Sequence, residues 1–195
     1  MSVGKTDLVK KRKVAWGITG AGDKIDEFID VMEEMKQQYA ATVEIQVFVS
    51  KAGETVLKYY SLENEVKENF PKYTVEMNSN SPFLAAWMQT HKYEFLLIAP
   101  STSNTVAKIA HGIGDTMLTN AASMSLKAFV PVYIVPVDYE EKIVTTKLPN
   151  GKDMKLRIRK EDAENVQKLK QMEDLHVMSE PQKIRDVFKE WFAKA

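Results

Sequence analysis

The stretch 95–105 reads FLLIAPSTSNT, five apolar residues followed by a proline and a run of small polar side chains. A strand buried on both faces has this apolar composition, and such strands belong to parallel sheets that helices cover on each side. The polar run, Ser101 to Thr105, precedes residues at helical spacing, so we expect it to turn the chain into a helix. The stretch therefore predicts an α/β protein with a polar turn at the carboxyl end of a central strand.

Strand-like and helix-like segments alternate around this stretch. We predict strands at 13–18, 43–49, 73–77, 95–99 and 132–137, and helices at 24–39, 53–69, 82–91 and 105–127. Ser81 is predicted to cap the third helix with Pro82 at its first position, and the fourth helix to bend at Gly112 or Gly114. This order is typical of a doubly wound, Rossmann-like sheet with mostly parallel strands.

The C-terminal part of the chain follows another pattern. Residues 143–147 and 154–158 are rich in β-forming residues and flank Pro149-Asn150-Gly151, which predicts a β-hairpin. Two helices are predicted to close the chain, at 162–172 and 181–194. We expect residues 1–195 to form one domain, in which residues 1–12 are flexible and residues 139–160 are a hairpin appendage.

Composition excludes several classes of protein. The 27 basic and 27 acidic side chains balance, which argues against a general nucleic-acid-binding protein. Cysteine is absent and only three histidines occur, so we expect neither a thiolate nucleophile nor a metal site. No apolar run approaches the ~20 residues that cross a membrane, and the N-terminus lacks a signal-peptide pattern. We therefore expect no membrane association and a cytoplasmic location.

Three predicted turns share one chemical character. Thr19–Gly22, Ser50–Gly53 and Ser101–Thr105 each follow a strand, precede a helix and carry glycines or hydroxyls. Ligands of doubly wound sheets lie beyond the carboxyl ends of the strands, and helix N-termini offer N–H groups to a phosphate. Tight turns and helix caps would account for each turn singly. Their coincidence at three strand ends favours a phosphate-bearing cofactor.

The turn sequences restrict the choice of cofactor. The glycines at positions 17, 20 and 22 do not match the G-x-G-x-x-G fingerprint of dinucleotide-binding proteins. Ser50 stands where a ribose-binding carboxylate would end the second strand. A hydroxyl-lined monophosphate pocket, of the kind that FMN needs, is the better interpretation.

Several segments resemble a known flavoprotein superfamily. Residues 17–22 (GITGAG), 49–52 (VSKA) and 99–110 (APSTSNTVAKIA) resemble the FMN-binding segments of the homo-oligomeric flavin-containing cysteine decarboxylases. That superfamily includes phosphopantothenoylcysteine decarboxylase and flavin prenyltransferase. Residues 112–122 (GIGDTMLTNAA) and 131–138 (PVYIVPVD) resemble the branch of archaeoflavoproteins and flavin-dependent dihydromethanopterin reductases.

This resemblance implies a three-layer fold with FMN at a subunit interface, in trimers or multiples of trimers. The cofactor-binding set that it implies comprises Thr19, Gly20, Ala21, Gly22, Ser50, Ser101, Thr102, Ser103, Asn104 and Thr105. It implies a redox flavoprotein that takes electrons from a carrier such as ferredoxin and passes them to a protein or to a pterin. No catalytic side chain is expected, because the flavin carries the chemistry.

Departures from the superfamily separate this function from its alternatives. The decarboxylases have a histidine after the second strand and, in some members, a cysteine, whereas residues 51–60 lack histidine and the chain lacks cysteine. The prenyltransferases have an Arg-Glu pair where this chain has Val137-Asp138. Decarboxylation and prenyl transfer stay the enzymatic alternatives, and binding of another phosphorylated ligand is the non-redox one.

Charge is concentrated near the predicted hairpin. Residues 142–170 hold nine lysines and arginines against four acidic residues. A basic surface accelerates encounter with an acidic partner such as a ferredoxin. The same charges would also keep an exposed hairpin soluble and protect its edge.

Overall fold

The structure is a computed structural model, and it describes residues 11–148 and 150–193. The strands are β1 (Arg12–Ile18), β2 (Val43–Val49), β3 (Tyr73–Val75), β4 (Leu96–Ser101), β5 (Val132–Pro136), β6 (Lys142–Lys147), β7 (Asp153–Ile158) and β8 (Leu175–Val177). The α-helices are α1 (Ile25–Gln38), α2 (Lys51–Tyr59), α3 (Glu63–Asn69), α4 (Leu84–Gln89), α5 (Ser103–Ala110), α6 (Met117–Lys127), α7 (Lys160–Leu169) and α8 (Ile184–Phe192). Within the described ranges, no helix has the length and apolarity to cross a lipid bilayer.

Six parallel strands form the central sheet in the order β3-β2-β1-β4-β5-β8. The order of connection reverses between β1 and β4, which is where a doubly wound sheet opens a crevice for a ligand. β6 and β7 pair antiparallel in a separate two-stranded sheet. The predicted α/β class, the mostly parallel sheet and the hairpin are therefore confirmed.

Two hydrophobic layers cover the sheet, one on each face. Along β1, Trp16 packs in the layer that contains α1 and α8, whereas Ala15 packs in the layer that contains α5 and α6. In the same way, Leu97 and Ile98 of β4 face opposite layers. Because successive side chains of a strand alternate between faces, a strand buried on both sides needs an uninterrupted apolar run. This requirement explains the run of five apolar residues, 95–99, at the start of the segment 95–105.

Two segments that are each predicted to form one helix form two helices in the structure. The predicted helix 53–69 breaks after α2, where Ser61 adopts a left-handed conformation (φ 61°) before α3 begins. The predicted helix 105–127 is α5 and α6, joined by residues 111–116 with Gly112 at φ 69°. A residue in the left-handed conformation ends a helix rather than bending it. The prediction of one helix that bends at Gly112 or Gly114 is therefore wrong.

Other boundaries differ from the prediction for local reasons. Ser81 does not cap α4, because the helix begins at Leu84, with Phe83 at the N-cap position and no side-chain cap. Ser81 lies in the preceding loop, where its carbonyl accepts hydrogen bonds from the backbone of Met77 and Asn78. β8 is absent from the predicted elements, since three residues are too few to show a period of two. The last predicted helix begins as a 3₁₀ turn, Pro181–Lys183, and continues as α8.

The segment predicted to be flexible, residues 1–12, overlaps the first strand. Arg12 is the first residue of β1, and its guanidinium donates hydrogen bonds to the Trp191 carbonyl and to Glu94. The prediction for residues 1–10 lies outside the described residues, as do the predicted hairpin residue at 149 and the helix end at 194.

Thr19 ties the ends of β1 and β4 together at the crevice. Its hydroxyl donates to the Pro100 carbonyl at 2.8 Å and accepts from the Thr102 N–H at 2.9 Å. Thr19 is only 2% exposed, so the bond to the Pro100 carbonyl is buried, and the bond from the Thr102 N–H is partly buried. They hold the start of α5 beside the glycine turn that follows β1.

Replacing Thr19 with valine should lower the free energy of unfolding by about 1–3 kcal/mol, because the partly buried Thr102 N–H would lose its acceptor. Chemical denaturation measures this loss, and amide hydrogen exchange at Thr102 should become faster. Thr19→Ser is the matched control, since it keeps both hydrogen bonds and removes one methyl group. Unchanged exchange at Thr102 in the valine variant would contradict this role.

Candidate functional site

A cavity of about 620 Å³ lies at the carboxyl ends of β1, β2 and β4, beside the reversal of strand order. Its walls come from the turns after these three strands, from residues 76–79 after β3, and from residues 115–118 at the start of α6. The volume lies within the range of roughly 300–1,000 Å³ that small-molecule and cofactor sites have. We call it the larger cavity.

Three helices begin at the larger cavity, and a hydroxyl caps each of them. Ser50 Oγ accepts the Gly53 N–H at 2.9 Å at the start of α2. Thr102 Oγ1 caps α5 and Thr116 Oγ1 caps α6 in the same way. Helix N-termini carry a partial positive charge, so three of them around one cavity favour an anionic group such as a phosphate.

Glu76 joins two of these helix starts. Its Oε1 accepts the Met117 N–H at 2.7 Å, and its Oε2 accepts the Lys51 N–H at 3.2 Å. The carboxylate thus satisfies the first N–H group of both α2 and α6. Sequence reasoning did not single out Glu76, because the predicted strand 73–77 places it inside a strand, whereas β3 ends one residue before it.

Close packing explains two of the glycines in the first turn. A Cβ atom on Gly20 would lie 2.7 Å from the Cβ of Ala52, and one on Gly22 would lie 2.7 Å from the ring of Tyr60. The turn therefore lies directly against α2. Burial raises the pKa of the Tyr60 phenol, and Tyr59 and nearby carboxylates raise it further.

A second cavity of about 300 Å³ lies between the first turn, the start of α5 and the hairpin. We call it the smaller cavity. It shares Gly20, Thr102 and Asn104 with the larger cavity, so the two spaces adjoin along these residues. Asp138, two residues after β5, lines the smaller cavity and accepts a hydrogen bond from the Ser103 hydroxyl.

The structure divides the predicted site residues between these spaces. The predicted residues that line the larger cavity are Thr19, Gly20, Ser50, Thr102, Asn104 and Thr105. Those that line the smaller cavity are Gly20, Ala21, Gly22, Thr102, Ser103 and Asn104. Ser101 lines neither cavity, because it is fully buried. Its hydroxyl has no hydrogen-bond partner among the described residues. Sequence reasoning missed the hairpin wall of the smaller cavity, because no local pattern reports which turn a hairpin covers.

The histidines lie apart from both cavities. His91 is exposed, His111 contacts Asn165 and Lys168 on α7, and His176 stacks on the ring of Tyr133. Within the described residues, no group of three or more histidine, cysteine, aspartate or glutamate side chains is arranged to hold a metal ion. The chemistry that the cavities offer is therefore recognition by hydroxyls, helix N–H groups and carboxylates.

Comparisons with known proteins agree with this geometry. A Methanocaldococcus jannaschii protein named Uncharacterized protein MJ0730 is 43% identical over 90% of this chain and 93% of its own length. The dihydromethanopterin reductase (acceptor) of the same organism is 32% identical over 90% of this chain and 95% of its own length. The crystal structure of Burkholderia xenovorans DmrB in complex with FMN, described as a cubic protein cage for redox transfer, has a TM-score of 0.79 and 29% identity. That similarity covers 94% of this chain and 97% of the DmrB chain.

The family model described as Flavoprotein matches residues 2–191. This match covers nearly the whole chain and includes all three turns that form the larger cavity. The chain belongs to the Flavoprotein family.

Proposed function

We propose that this protein is a cytoplasmic FMN-dependent redox flavoprotein that takes electrons from a carrier such as ferredoxin and passes them to a pterin or protein acceptor. The observation that carries the proposal is the meeting of three hydroxyl-capped helix N-termini at one cavity beside the strand reversal. The similarity to a dihydromethanopterin reductase supports the pterin acceptor. When bound, FMN supplies the redox chemistry.

The chain's own residues bind and orient the cofactor. Ser50 is suited to the phosphate, because its oxygen accepts the Gly53 N–H and its proton is left to donate. Thr102 and Thr105 offer two further hydroxyls, 3.1 Å apart, at the start of α5. Gly20 allows the first turn to pack directly against Ala52 at the start of α2, so that both turns line the same cavity.

The other predicted residues complete the proposed site. Ala21, Gly22, Ser103 and Asn104 line the smaller cavity, which adjoins the larger one along Gly20, Thr102 and Asn104. Thr19 and Ser101 support the site from behind, since both are buried and the Thr19 hydroxyl bonds to the backbone. Because the flavin carries the chemistry, none of these residues needs to act as an acid or a base.

The alternatives fit the cavities less well. None of the three histidines lines either cavity, so the histidine that the decarboxylases use has no counterpart here. The smaller cavity is lined by Asp23 and Asp138 and, among the described residues, by no lysine or arginine, so it offers no cation to a prenyl phosphate. The larger cavity also has two carboxylates, but Glu76 accepts two backbone N–H groups and Asp115 is paired with Lys108. Redox chemistry needs neither the histidine nor the cation.

A homo-oligomer, as a trimer or a multiple of trimers, completes the proposal. Large apolar side chains lie exposed on either side of the cavity loop 78–79: Met77 is 69% exposed and Phe83 is 65% exposed. Exposed apolar groups beside a ligand site are typical of a surface that another protein covers. The cage described for the DmrB protein is an assembly of this kind.

The identity of the cofactor tests the proposal directly. Purified protein should show the visible absorbance of a flavin, and denaturation should release FMN and not FAD. Mass spectrometry of the released compound distinguishes the two. Release of FAD as the main flavin, or of a phosphorylated ligand without a flavin, would contradict the proposal.

Ser50→Ala should raise the Kd for FMN roughly tenfold to hundredfold, because a hydrogen bond to a charged phosphate is lost. Titration of the apoprotein with FMN, followed by the quenching of flavin fluorescence, measures this change. Ser50→Gly is the matched variant, since glycine also lacks the hydroxyl but costs the helix cap only a few tenths of a kcal/mol. Normal FMN affinity in the glycine variant would show that Ser50 serves only as a helix cap.

The hairpin surface is the proposed docking site for an acidic electron carrier. Lys155 and Arg157 lie on the face of β7 that points away from the smaller cavity, opposite Thr145 and Ile143 of β6. Arg159 is not available for docking, because it forms an ion pair with Asp162 at the start of α7. The lysine and arginine of β7 are exposed, so their field reaches into solvent.

Reduction by ferredoxin should therefore slow as salt rises from ~0.05 to ~0.5 M, because the Debye length falls from roughly 14 Å to 4 Å. Reversing both charges, Lys155→Glu with Arg157→Glu, should lower the same rate, whereas reduction by dithionite should not change. Lys127→Glu with Lys189→Glu is the control, since it makes the same change in net charge on α6 and α8. A ferredoxin-dependent rate that neither salt nor the hairpin variant alters would remove the hairpin from electron transfer.

A further inference from the structure

The smaller cavity has an apolar wall made by the hairpin. Val144 and Thr146 of β6 lie in register with Leu156 and Met154 of β7, and all four side chains line the cavity. We call this set the hairpin face. Leu156 is 46% exposed, which is a large exposure for a leucine that lines a cavity. A flat ring placed in the cavity would cover this apolar surface and gain free energy by removing it from water.

A carboxylate with a defined orientation lies in the same cavity. The backbone at Asp138 is held by the preceding residue, whose N–H donates to the Ser101 carbonyl at 3.0 Å. The Ser103 hydroxyl donates to Oδ2 of Asp138. Among the described residues, none donates a hydrogen bond to Oδ1, so that oxygen is left for a ligand. Asp23 also lines the cavity, but no hydrogen bond from a described residue orients its carboxylate.

The chemistry of a carboxylate selects the edge of the ring that it can bind. An ionised carboxylate only accepts hydrogen bonds, and each of its oxygens has two lone pairs. Oδ2 can therefore accept a second donor beside the Ser103 hydroxyl, and the two oxygens match two adjacent N–H donors. The amino-amide edge of a 2-amino-4-oxopteridine presents such a pair, a ring N–H beside an exocyclic amino group. The corresponding edge of a flavin presents one N–H between two carbonyl oxygens, and a carboxylate repels those oxygens.

We propose that the smaller cavity binds the pterin ring of the electron acceptor, with Asp138 accepting hydrogen bonds from its amino-amide edge and the hairpin face packing on the ring. The inference rests on the proposed function, and it places the pterin acceptor of that function in the smaller cavity. Gly20, Thr102 and Asn104 border both cavities, so a ring in the smaller one adjoins the cofactor site.

Calorimetric titration of the FMN-loaded protein with two probes tests the inference. The probes are 6-methylpterin and 6-methyllumazine, which differ where the lumazine has a carbonyl in place of the amino group. The unmutated protein should bind the pterin at least tenfold more tightly than the lumazine, because the lumazine places a carbonyl oxygen against the Asp138 carboxylate. Equal affinity for the two probes would overturn the inference.

Asp138→Asn should raise the Kd for 6-methylpterin about tenfold to hundredfold and abolish the preference over the lumazine, because an amide offers one donor and one acceptor. Asp153→Asn is the matched control, since it removes the same charge from the opposite face of the hairpin and should leave both affinities unchanged. If Asp23→Asn lost the preference for the pterin over the lumazine and Asp138→Asn kept it, the pterin would bind Asp23, and the assignment to Asp138 would be overturned.

Flavin absorbance separates this inference from the proposed function. Asp138→Asn should retain a full complement of FMN, which shows that the variant is folded and that the cofactor site is intact. A natural-sequence protein that holds FMN and is reduced by ferredoxin, yet binds neither probe, would overturn the pterin site and leave the redox flavoprotein in place. A protein that binds no FMN would contradict the proposed function itself.

Discussion

The hydroxyl of Thr19 is the constraint on which the site depends. It bonds to the Pro100 carbonyl and to the Thr102 N–H, and so joins the ends of two strands that diverge into helices on opposite sides of the sheet. Together with the hydrogen bond from the Thr19 N–H to the Pro100 carbonyl, this link holds the two strand ends beside the crevice. Because the Thr19 side chain is buried and Thr102 is partly buried, water cannot replace these bonds easily. The positions of the glycine turn and of the start of α5 follow from it.

The two adjoining cavities offer different groups to a ligand. Three capped helix N-termini make the larger cavity suitable for a phosphate, and Glu76 already holds two of those helices together. The smaller cavity combines the hairpin face with Asp138 and Asp23, so it suits a neutral ring that donates hydrogen bonds. The proposed order of electron transfer, from carrier to flavin to acceptor, uses both spaces and the outer face of the same hairpin.

The hairpin therefore has two faces with separate roles in the proposed function. Its inner side chains close the smaller cavity, whereas Lys155 and Arg157 point outward. The alternation of side chains along a strand makes this separation possible within six residues. A change on one face can in consequence alter docking without altering acceptor binding, and the reverse also holds.

The sequence by itself determined the layered α/β fold, the three polar turns and the family, because these depend on local patterns of apolar and polar residues. The prediction of the family from residues 17–22, 49–52 and 99–110 is confirmed, and that of the cofactor-binding residues stays a prediction. Only the tertiary structure decided that Glu76 bridges two helix starts, that Ser101 is buried away from the cavities, and that the hairpin covers the first turn. These features join residues that are far apart in the chain, and no local pattern reports contacts of that kind.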